Sequence, residues 1–114
     1  MTRFASALAL ILVSVTAFAR ATETPLRVLF LGDRGHHQPA ERFAQLEPVL
    51  AGRGIELVYT ENLADLDPAV LADYDALAVF ANIDSITPEH EAAIAEYVRG
   101  GKGLVPLHSA SFCF

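Results

Sequence analysis

The chain has 114 residues, 53% hydrophobic and 19% charged, which fits about one globular domain and excludes a disordered or low-complexity chain. Fourteen acidic residues against 8 basic ones give a formal net charge of −6, which repels phosphate backbones and argues against a nucleic-acid partner. The single cysteine, Cys113, excludes an internal disulfide.

Residues 1–21 read as a secretory signal. Arg3 supplies the positive start, and Phe4 to Val15 is an apolar run broken only by Ser6 and Ser14. Ala17-Phe18-Ala19 and Ala19-Arg20-Ala21 are both small-x-small cleavage sites. The run is short for a bilayer, so no stable membrane span is expected after cleavage, and the product is expected in the periplasm or outside the cell. The alternative is an uncleaved N-terminal anchor. Cleavage would remove Arg3 and Arg20 and leave residues 22–114, a more acidic segment, as one α/β domain.

Leu26 to Leu31 (LRVLFL) reads as a strand, apolar on both faces beyond Arg27, as suits a central parallel strand covered on each side. Gly32 to Gln38 is its exit loop, and Pro39 fits the first position of a helix. Phe43, Leu46, Val49 and Leu50 recur at helical spacing; Pro48 should kink this helix, and Gly52 and Gly54 end it. Ile55 to Tyr59 is a second strand, followed by a connection with a helical turn opened by Asp67-Pro68. Ala76 to Phe80 is a third strand. Thr87-Pro88-Glu89 opens a second long helix with Ile94, Tyr97 and Val98 as its apolar stripe and Gly100-Gly101 as its stop. Leu104 to Leu107 is a fourth strand, although Pro106 cannot donate to a ladder.

This alternation predicts a central parallel sheet. Leu104, Val105 and Leu107 would lack a cover on one face, so the chain reads as the N-terminal, truncated portion of a larger domain whose C-terminal strands are missing. Copies could associate through that uncovered edge. The alternative is a small natural domain whose sheet a partner chain completes.

Ligands of open parallel sheets bind at the carboxyl ends of the strands. Those ends carry Asp33, His36 and His37 after the first strand, Asn82 and Asp84 after the third, and His108, Ser109 and Ser111 after the fourth. Asp33, His36, His37, Asn82 and His108 are the candidate ligand-binding residues. His36, His37 and His108 with Asp33 could hold a metal. The spacing is not diagnostic, and neighbouring histidines on an extended loop point apart, so no metal is assigned. His108-Ser109 stands where a strand turns into a helix and supplies the candidate catalytic pair. The competing reading is that Ser109 and Ser111 cap the next helix. Cys113 reads as a small buried residue, or as a thiol in the first turn of that helix. Neither Gly32-Asp33-Arg34-Gly35 nor Gly100-Gly101-Lys102-Gly103 matches a nucleotide loop in its proper context, so no cofactor is expected.

Three segments together resemble the ThuA-like (trehalose-utilisation) family of the class I glutamine amidotransferase-like superfamily. They are LRVLFLGDRGHHQPAERF, YDALAVFANIDSITPEHEAAIAEYVRGGKG and GLVPLHSASFCF. The resemblance spans Leu26 to Phe114. It implies a flavodoxin-like three-layer sandwich, a sugar-utilisation role, and His36, His37, His108 and Ser109 as the ligand-facing set. The superfamily's amidotransferases place a cysteine at the elbow after the fourth strand. Here His108 and Ser109 occupy that region and Cys113 lies further along, which argues against glutamine hydrolysis. The expectation is an exported domain that binds or processes a carbohydrate-derived, sugar-like small molecule. The alternatives are a non-catalytic interaction domain of a larger exported protein, or a metal-dependent hydrolase using the histidines.

Overall fold

The computed structural model describes residues 23–114. The predicted signal therefore lies outside the described residues. Among the described residues, no helix is long and apolar enough to cross a membrane.

The elements follow as β1 (Leu26–Leu31), α1 (Pro39–Ala51), β2 (Ile55–Thr60), a 3-10 turn (Leu63–Leu66), α2 (Pro68–Leu71), β3 (Ala76–Val79), α3 (Pro88–Arg99), β4 (Gly103–Pro106) and a second 3-10 turn (His108–Phe112). The four strands form one sheet in the order β2-β1-β3-β4, every pair parallel. This is the flavodoxin-like order, and its direction reverses between β1 and β3.

Local chemistry accounts for the helix starts. The Asn62 and Asp67 side chains accept from the amides of Ala64 and Ala69, at 3.1 and 2.8 Å. Thr87 Oγ1 accepts from His90 N at 3.2 Å, with Glu89 and Glu91 in the positive first turn. Pro39 and Pro88 each take a first-turn position, where the missing N–H leaves nothing unpaired.

Residues of β1 alternate between two cores. Leu29 and Leu31 join Leu66, Leu71, Leu77, Ile94 and Tyr97 on the α2/α3 side. Phe30 joins Leu57 and Ala78 on the α1 side, with Phe43, Leu50, Tyr59 and Phe80 against them. Burial on both faces of β1 follows from its near-continuous apolar run.

Two predicted apolar faces are only partly used. Phe43 and Leu50 pack on the sheet, but Leu46 and Val49 stay exposed, because α1 sits over β1 and β2 with no described helix beside it over β3 and β4. In α3, Ile94 and Tyr97 are buried with Ala93, while Val98 is exposed. At the edge, Leu104 and Val105 are 42% and 45% exposed, as the uncovered strand implies. Pro106 fits β4 for a directional reason. The amides of Gly103 and Leu107 donate inward to Asp75 and Val79, so the intervening position 106 would aim its N–H at the open edge, where proline loses no bond.

Candidate functional site

The exit loop of β1 is bent by a single carboxylate. Asp33 Oδ1 accepts from Gly35 N at 2.7 Å, closing a tight local turn. Its Oδ2 accepts from Asn82 N at 2.6 Å, which ties the β1 exit to the β3 exit across the point where strand order reverses. The loop therefore folds back instead of running extended. Gln38 N donates to Gly35 O, and Gln38 itself takes a left-handed φ of 54° before Pro39.

This bend corrects the expectation that His36 and His37 point apart. Their ring centroids are 3.9 Å apart, and the His37 ring meets that of His108 at 4.5 Å, edge to face. Phe80, at the end of β3, backs both His37 and His108 at 6.2 and 6.1 Å. Three imidazoles and a phenyl ring thus converge from the carboxyl ends of β1, β3 and β4. Desolvation, then the neighbouring His36 and His108, hold the His37 pKa below its ordinary value. A neutral imidazole offers one donor and one acceptor, and its face can lie against an apolar surface.

His108 is the strained member. Its φ of 52° is in the left-handed region, one residue beyond β4 at the start of the 3-10 turn, so the elbow position belongs to histidine. Ser109 Oγ donates to Ala81 O at 3.2 Å, and among the described residues no imidazole or carboxylate bonds to it. Neither serine caps the turn, as the competing reading had it: its cap residue is Leu107, without a side-chain bond, and Ser111 Oγ donates back to His108 O. Cys113 stands at the end of that turn, not in its first residues. Its Sγ donates to Ala81 O at 3.0 Å and accepts from Ile83 N at 3.4 Å, pinning the β3 exit loop.

Asp33 and Asn82, expected to face ligand, contribute differently. Both Asp33 oxygens are engaged by backbone amides, and Asn82 enters the network through its own amide while the residue stays exposed. Among the described residues, no group of three His, Cys, Asp or Glu side chains is placed to hold a metal ion.

The end of β2 carries polar residues that the sequence reading passed over. Tyr59 Oη donates to Glu61 Oε1 at 2.9 Å, and Arg34 Nε donates to Glu61 Oε2 at 2.7 Å. Arg34 foremost, then Tyr59, lowers the Glu61 pKa, while burial and Glu61 push the Tyr59 phenol up to about 12. Applying the strand-end rule to β2 as well would have found Glu61.

The profile of the trehalose-utilisation family, ThuA, matches residues 27–114. The fold is similar to a crystal structure of a ThuA-like protein from Bacteroides uniformis, with a TM-score of 0.66 and 18% identity, covering 83% of this chain and 41% of that one. A ThuA-like protein from Parabacteroides merdae gives a TM-score of 0.65 at 20% identity, covering 79% and 34%. The chain thus spans less than half of either protein. Among curated proteins none matches.

Proposed function

The chain belongs to the trehalose-utilisation (ThuA) family, and from that premise we propose that it is an exported domain whose strand-end surface binds or processes a carbohydrate-derived small molecule. The observation that carries the reading is the convergence of His36, His37 and His108 with Phe80 at the switch-point end of the sheet. Such a surface suits a hydroxylated ring. Imidazole nitrogens serve both as donors and as acceptors to hydroxyls, and aromatic faces accept the ring's C–H side.

His108 is assigned the central role, because a non-glycine residue kept at positive φ costs about 1–3 kcal/mol and such strain clusters at ligand sites. Ser109 is placed beside it as a hydroxyl that a ligand could draw away from Ala81 O. Export is part of the proposal and rests on Arg3, the apolar run to Val15 and the small-residue sites ending at Ala21.

Calorimetric titration of the chain with glucose, maltose and trehalose tests the reading. Saturable heat with at least one sugar, lost in His108→Ala and His37→Ala, is the expected result. No heat with any of them, or equal heat in both variants, would refute it.

A further inference from the structure

Against the Asp33 clamp lies a cleft of about 280 Å³, lined by Gly32, Asp33, Arg34, Glu61, Leu63 and Ile83. None of the histidines borders it. Its polar wall is ordered from beneath. Tyr59 packs against both Phe30 and Phe43 in a three-ring cluster, with ring centroids at 6.0 and 5.3 Å, and its hydroxyl fixes Glu61. Glu61 in turn fixes Arg34 through Nε alone. The Arg34 side chain is 91% exposed, and among the described residues its Nη groups make no hydrogen bond. Leu63 and Ile83, both partly buried, supply the apolar side.

A positioned carboxylate beside guanidinium donors, next to aliphatic carbon, matches a polyhydroxylated ring: hydroxyls bridge Glu61 and Arg34, and the C–H face rests on Leu63 and Ile83. An anion fits less well. The arginine charge is answered by Glu61, and Asp33 adds a second carboxylate to the wall.

We propose that this cleft is a second hydroxyl-binding subsite, so that one ligand of two linked rings reaches from the histidine cluster over Asp33 onto the Arg34–Glu61 pair. Arg34 and His36 are two residues apart, at most about 7 Å of backbone, which is within reach of such a ligand. The inference rests on the carbohydrate reading of the histidine site and extends it.

The test is a 15N–1H NMR titration of the chain with trehalose, with inorganic phosphate as a second probe. Trehalose should shift the amides of Arg34, Glu61 and Ile83 together with those of His36, His37 and His108. Arg34→Ala and Glu61→Gln should each weaken it about 10-fold, the loss of about 1.4 kcal/mol of charge-assisted bonding. Shifts confined to the histidines, with both variants binding as tightly as the parent, would overturn the subsite and leave the histidine reading standing. Phosphate shifting Arg34 and Glu61 where trehalose does not would overturn it as well. Trehalose shifting neither set would overturn the subsite, and the carbohydrate reading falls with it only where glucose and maltose also shift neither set.

Discussion

Replacing Gly32 by alanine tests how tightly the strand-end loop is seated. Gly32 is buried, donates its amide to Thr60 O at 2.9 Å, and lacks the positive φ that would itself forbid a side chain. A Cβ there would lie 2.5 Å from Tyr59 Oη, 2.7 Å from Tyr59 Cε2 and 2.8 Å from Pro39 Cβ. Favourable carbon contacts begin near 3.5 Å, so three atoms on two elements must move. Tyr59 packs against both Phe30 and Phe43 and is tied to Glu61, and Pro39 is buried at the start of α1. Overpacking of this kind costs roughly 1–3 kcal/mol, and the two-sided clash favours the upper half. Alanine returns roughly 0.4–1 kcal/mol by restricting the unfolded chain, which leaves a net loss of about 2 kcal/mol. Gly103→Ala is the control. Its Cβ meets only the Ala76 Cβ within 3.0 Å, on an edge strand free to shift outward, so its net effect should lie within about 0.5 kcal/mol of zero. Urea unfolding at one fixed protein concentration, read from midpoint and slope, gives both values. A Gly32→Ala chain as stable as Gly103→Ala would refute the packing argument.

Four further outcomes follow from the same geometry. Asp33→Ala removes two charge-assisted bonds and should cost about 2 kcal/mol, with Asp33→Asn between it and the parent because an amide keeps one acceptor; equal unfolding midpoints for all three would sink the clamp. His37 should titrate below the ordinary imidazole value of about 6.5 by NMR. Its neutral form is favoured by the fold, so the stability linked to it is present above that value and declines as pH falls through it; His36→Ala should move the titration upward, and no movement would remove His36 as a cause. His108→Gly should be about 1 kcal/mol more stable than His108→Ala, since only glycine relaxes the left-handed backbone; equal thermal midpoints would deny the strain. Leu104→Lys and Val105→Lys should lower any self-association seen by sedimentation, and an unchanged sedimentation profile in an associating parent would clear this edge.

The order of elements and nearly all their limits are local properties. Pro39, Asp67-Pro68 and Thr87-Pro88 mark helix starts because caps and first-turn prolines act within a few residues. The apolar run of β1 beyond Arg27 already implied burial on both faces and a parallel neighbourhood. Hydropathy spacing marks the apolar side of a helix but not how much of it a neighbour covers, so Leu46, Val49 and Val98 looked like core and are exposed. Which strands become neighbours is likewise a tertiary matter. The pairing of β1 with β3 is what lets Asp33 bond to the amide of Asn82. Together with the Asp33–Gly35 turn, that bond folds the loop back and brings two histidines expected to diverge to 3.9 Å between tilted rings, with His37 against His108. The residue types at the strand ends were legible because the chain must leave the sheet there. Their roles were not, because a carboxylate that faces ligand and one that accepts two backbone amides are the same letter until the loops around them are folded.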